Sequence, residues 1–144
     1  MRTRIWCVSL VVMLLVALGA AQGPDALAAL QGRWVVTAGQ HGGKPLDVIK
    51  GGVITIAGDA FEIRTASGRL LQGTLRADTG QQPFHLDLLH ADGVRWEGIY
   101  EITDGGAGFR MNYVEAGGPD ARPAVFMTSD KTEETIVVAR RETR

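Results

Sequence analysis

The chain has 144 residues, with 15 Lys and Arg against 16 Asp and Glu, and its single cysteine is Cys7. A net charge of −1 with no long run of Lys or Arg excludes the several cations on one face that counterion release at nucleic acid requires; Arg140-Arg141 is the densest basic spot. One cysteine permits no internal disulfide, so an ordered domain must rest on apolar burial.

The chain opens with Arg2 and Arg4, an apolar run over residues 5–18, and the small residues Gly19-Ala20-Ala21. This is the order of a secretory signal: basic n-region, apolar core, small-residue cleavage site. The run falls short of the ~20 apolar residues of a membrane span before Gln22, Gly23 and Pro24. Residues 1–20 are therefore expected to be a cleaved signal peptide, an uncleaved anchor being the alternative. Residues 25–144 then form a domain exported to the periplasm or beyond the cell, with no stable membrane span. Cys7 lies inside the leader rather than just after it, which argues against a lipid anchor. Losing Arg2 and Arg4 leaves 13 basic against 16 acidic residues, a net charge near −3.

After the leader, residues 24–30 give the one helical hint, a turn or two that Asp25 caps. Beyond it, glycines recur at intervals between short segments of period-two alternation, the pattern of a sandwich or barrel. Strands are expected over residues 32–40, 53–57, 61–65, 70–77, 84–89, 94–102, 109–114 and 135–140, with residues 125–128 a candidate ninth piece. Roughly twenty large apolar side chains, each contributing ~1.5–3 kcal/mol when buried, suffice for one cooperative domain.

The turns set a common inside face. A two-residue turn at Gly58-Asp59 places Ile56 opposite Phe61 and Ile54 opposite Ile63. A loop at Ala66-Ser67-Gly68 sets Leu71 opposite Ile63 and Gly73 opposite Phe61. A loop at Ala91-Asp92-Gly93 brings Leu88 opposite Trp96 and Leu86 opposite Gly98. A four-residue loop over 103–106 pairs Tyr100 with Phe109, Gly98 with Met111 and Trp96 with Tyr113. A slip of one residue would turn the whole set outward. The expected fold is therefore all-β, an eight-stranded antiparallel up-and-down barrel that leaves no unpaired edge, a sandwich being the alternative. A membrane barrel is disfavoured, because Glu62, Arg64, Arg95, Glu97, Glu101 and Arg110 would face lipid.

The first strand opens Gly32-Arg33-Trp34, and here the chain resembles the lipocalins, whose first strand carries Gly-x-Trp. It is more closely similar to a family of small exported lipocalin-like domains of unknown function, numerous in planctomycete-type bacteria. The matching stretches are 30–34, Gly43-Lys44-Pro45-Leu46, Gly73-Thr74-Leu75, Gly98-Ile99-Tyr100-Glu101, Arg122-Pro123 with Phe126, and 137–141. The resemblance implies a barrel closed at the Trp34 end, with a basic residue of the last strand, Arg140 or Arg141, packed over the indole beside Gly32. Unlike larger lipocalins, the sequence shows neither a disulfide nor a long helix after the last strand, so a roomy cup is not expected. The family transfers a fold rather than a reaction.

Candidate chemistry is sparse. Trp96, Tyr100, Phe109, Met111 and Tyr113 form an inward aromatic cluster that either fills the barrel or holds one small apolar or amphipathic ligand. His41, His85 and His90 are expected to face solvent; His85 with Asp87 makes a poor zinc site, and no metal or cofactor is expected. Ser67 and Ser129 lack the context of an activated nucleophile. Asp87 lies opposite Glu97, with Glu101 further along the same face. Like charges so placed need neutralising by Arg64, Arg95 or Arg110 unless they bind calcium or act as a hydrolase pair. Residues 115–123 are expected to be an ordinary surface connection. Three functions follow in order: an envelope ligand-binding barrel, a filled-core structural or interaction module, and a carboxylate-dependent hydrolase.

Overall fold

The computed structural model describes residues 24–143, so the expected leader over residues 1–20 lies outside the described residues. A short helix, α1 (Pro24–Ala28), precedes nine strands: β1 (Gly32–His41), β2 (Lys44–Pro45), β3 (Val53–Ala57), β4 (Ala60–Arg64), β5 (Leu70–Asp78), β6 (Phe84–His90), β7 (Arg95–Thr103), β8 (Gly108–Glu115) and β9 (Thr135–Arg141). Two 3-10 turns, Asp47–Ile49 and Asp104–Gly106, lie between them. Each long strand pairs antiparallel with the next, and β9 returns to β1 from Trp34↔Arg141 to His41↔Thr135. Eight strands thus close into a barrel, with the two-residue β2 added to the end of β1. Closure satisfies the backbone groups that an open sheet would leave at its edges.

The turn chemistry produces the expected registers at three hairpins. Ile56 faces Phe61 and Ile54 faces Ile63 across β3–β4. Leu71 faces Ile63 across β4–β5, and Leu88 faces Trp96 across β6–β7. The β7–β8 hairpin differs: Trp96 pairs with Glu115, Gly98 with Tyr113, Tyr100 with Met111 and Ile102 with Phe109. Thr103 remains in the ladder opposite Gly108, which moves the closing pair one step and every partner by two residues. A shift of two preserves the inward face, so the core composition survives the change.

That core runs the length of the barrel, from Leu30, Trp34, Leu75, Ala77, Leu86, Tyr100 and Phe109 to Val36, Ile54, Met111 and Val137. The N-terminal end is sealed. Ala26 and Leu27 of α1 pack against the core, Trp34 Nε1 donates to the Leu30 carbonyl at 2.8 Å, and the Tyr100 hydroxyl donates to the Ala26 carbonyl at 3.3 Å. Arg141 supplies the cation over Trp34, its guanidinium carbon 4.2 Å from the ring centroid. It also donates to the carbonyls of Ala29, Gln31 and Gly106, which ties the last strand to the entry of the first. Gly32 has φ +111, and a Cβ there would lie 3.0 Å from the Arg141 guanidinium, so glycine meets two demands at once. Arg140 points elsewhere, toward Asp104 at 3.6 Å, and is exposed.

Residues 116–134 form a strap over the outside of β7–β8, so the expectation of an ordinary surface connection over 115–123 is corrected. Ile99, Asn112 and Val114 lie on the outward face of these strands yet are 1%, 0% and 2% exposed. Asn112 Nδ2 donates to the Val125 carbonyl at 2.8 Å, the Met127 carbonyl at 3.3 Å and Glu134 at 3.1 Å. Residues 125–128 are accordingly not a strand: two of their carbonyls are satisfied by a side chain instead of a ladder. Arg122 completes the anchorage through Asp87 and the Gly98 carbonyl.

Candidate functional site

At the end away from α1 the barrel is open. Side chains one or two inward positions beyond the core frame a cup: Val36, Ile54, Ile63 and Leu71 on one side, and Trp96, Met111, Tyr113 and Val137 on the other. The turn bearing Val48 and Ile49 and the β4–β5 loop, with Thr65, Ser67 and Arg69, form its rim. The cup has a volume of about 290 Å³.

Three of the five expected ligand-facing residues, Trp96, Met111 and Tyr113, line this cup. Tyr100 and Phe109 do not reach it. They pack at the sealed end, where Phe109 lies 5.6 Å from Trp34 and Tyr100 lies 5.7 Å from Phe84. The aliphatic wall was legible in the hairpin registers of Ile54, Ile63 and Leu71, whereas Arg69 carried no sequence signal.

A row of rings stiffens one wall. Phe61 meets His90 edge-on at 5.2 Å, His90 meets Trp96 at 4.2 Å, and Trp96 stacks on Tyr113 at 4.3 Å and 19°. Gly98 faces Tyr113, and a Cβ there would lie 2.9 Å from the Tyr113 Cβ, so its absence gives the phenol its place. Burial pushes the Tyr113 phenol up to about 12, partly offset by its hydrogen bond with Thr135. The phenol therefore stays protonated.

His90 corrects the expectation of three solvent-facing histidines. It shares parity with Leu86 and Leu88, so alternation turns it inward, and it is 5% exposed with no partner for Nε2. Desolvation lowers its pKa below the usual 6.5, Arg69 acting in the same direction while Asp92 and Glu115 oppose. The unfolded chain then binds the proton first as pH falls, so His90 costs stability below about pH 6.5. Urea midpoints should drop between about pH 7.5 and 5, and His90→Phe should flatten that slope. Parallel profiles for the two proteins would remove His90 from the account. His41 is exposed, 2.9 Å from Thr135 Oγ1 and 3.5 Å from Glu133, and His85 is half-buried.

The carboxylates find cationic neighbours. Asp87 does sit opposite Glu97, but Arg122 lies 2.6 Å from Asp87, Arg95 2.7 Å from Glu97 and Arg110 2.6 Å from Glu101. Arg122 reaches in from the strap, which local spacing does not reveal. Among the described residues no group of three or more His, Cys, Asp or Glu is placed to hold a metal ion, and no helix is long and apolar enough to cross a membrane.

Fold and site define a closed eight-stranded antiparallel barrel, sealed at one end and hollowed by an apolar cup at the other. No protein-family model matches the chain, and no curated protein matches it. Among solved structures it is similar to a designed protein described as the de novo design of a fluorescence-activating β-barrel. The two share 16% identity with a TM-score of 0.49, over 82% of this chain and 98% of that chain.

Proposed function

We propose that the protein is an exported, non-enzymatic binding barrel that holds one small apolar or amphipathic molecule in the cell envelope. The cup carries this reading. Its volume of about 290 Å³ lies at the lower edge of the ~300–1,000 Å³ typical of small-molecule sites, and its walls are aliphatic and aromatic. The pairing of Asp87, Glu97 and Glu101 with arginines weighs against a hydrolase, since each carboxylate is held as a structural anion. The resemblance to exported lipocalin-like domains and the leader-like N-terminus support the address.

The neutral dye phenylnaphthylamine should bind and brighten. Leu71→Trp, which puts an indole into the cup mouth, should abolish that signal while the far-ultraviolet circular dichroism stays the same. Equal dye binding by both proteins would refute the cup as the site. Native mass spectrometry of protein taken from its own host should show a chain starting after Ala20 or Ala21 with a small co-purifying molecule.

A second reading is favoured by the strap, where Val125 and Met127 are 57% and 70% exposed. These side chains suit an interaction module, and absence of dye binding would shift weight to it.

A further inference from the structure

We propose that Arg69, with Ser67 and Thr65, holds the anionic head of an amphipathic monocarboxylate whose apolar tail fills the cup. This deepens the ligand-binding reading and rests on it. Arg69 is the one charged residue among those lining the cavity. Among the described residues it has no carboxylate within ion-pair distance, whereas Arg33, Arg64, Arg95, Arg110, Arg122 and Arg140 each have one. Arg141 is held by three backbone carbonyls. An unpaired guanidinium at the lip of an apolar hollow offers a planar pair of donors to a carboxylate without first breaking an internal bond.

The hydroxyls add to it. Thr65 Oγ1 and Ser67 Oγ lie 3.0 Å apart on the same loop, and Thr65 Oγ1 accepts the Arg69 backbone N–H at 2.9 Å, which fixes the loop that carries the cation. The rim beyond Trp96 and Tyr113 has the opposite sign, with Glu115, Asp120 and Glu133 around a second hollow. An anion is thereby directed to the Arg69 side. At about 30 Å³ per water-sized group, the cup takes about ten such groups, the size of a medium-chain acid.

The experiment is displacement of phenylnaphthylamine by decanoate and by decanol, equal tails with different heads. In the parent protein decanoate should bind about five- to tenfold more tightly than decanol, and the advantage should shrink as salt is added. Arg69→Gln should erase the advantage and leave decanol unchanged, and Arg69→Lys should restore part of it. Equal affinities in the parent protein, or an equal loss of both ligands in Arg69→Gln, would overturn the charge assignment while leaving the cup intact. A dye that fails to bind the parent protein at all would instead bring down the cup reading and this proposal together.

Discussion

Trp34→Ala should lower stability by about 3–5 kcal/mol, the range for emptying a large buried aromatic site. Trp34 is 0% exposed and joins three parts of the sealed end. Its indole packs 5.6 Å from Phe109, its N–H caps the Leu30 carbonyl, and its face supports the Arg141 guanidinium. Removing it leaves a cavity beside α1, an unsatisfied buried carbonyl, and an arginine without its platform, a contact that itself contributes ~0.5–2 kcal/mol. Trp34→Phe should recover most of the packing but not the hydrogen bond, and so fall between. Urea denaturation read by circular dichroism measures both. A midpoint for Trp34→Ala within error of the parent would contradict the role assigned to this end. Dye binding by whatever fraction remains folded should keep its affinity, because the cup lies at the other end of the barrel.

Gly73→Ala should be the most damaging methyl addition in the molecule, costing about 1–3 kcal/mol or more by overpacking. Gly73 pairs with His90 at the end of the β5–β6 ladder. A Cβ there would lie 1.9 Å from the Leu89 carbonyl oxygen and 2.8 Å from its carbon. Both are backbone atoms, so no rotamer change relieves the clash and the two strands must part. Parting them also moves His90, which bridges Phe61 and Trp96. The expected signature is a lowered melting temperature together with an altered near-ultraviolet signal from Trp96. An unchanged melting temperature would show that β5 and β6 approach less closely than this.

Both predictions concern residues whose importance reads unequally from sequence. Trp34 was legible, because Gly32-Arg33-Trp34 at the head of an alternating strand marks a barrel entry, although Arg141 rather than Arg140 as its cover was decided by strand register. Gly73 read only as the partner of Phe61; its close contact with Leu89 appears once β6 is laid beside β5. The inward row of Ile54, Ile56, Phe61, Ile63, Leu86, Leu88 and Trp96 followed from alternation and short turns alone. His90 belonged to the same parity as Leu86 and Leu88, and its polarity masked that.

The candidate site divides along the same line. Trp96, Met111 and Tyr113 were grouped correctly with one another, but Tyr100 and Phe109 share their parity and lie at the other end. Period-two alternation tells inside from outside and says nothing about position along the barrel axis. That axis is set by where each strand starts against its neighbour, and the β7–β8 pairing departs by two residues from the expected one.

By itself, then, the sequence determined the class of fold, the number of long strands and the inward face of each. Those properties come from residues within two to ten positions of one another, where side-chain parity and turn geometry act. Only the tertiary structure decided which end is open, how the strap covers Ile99 and Val114, and that Arg69 stands unpaired at the rim. Each of these depends on where distant segments meet: Arg122 with Asp87, Asn112 with Val125, α1 with the Trp34 end. Such meetings are set by chain closure and packing, which no local pattern encodes.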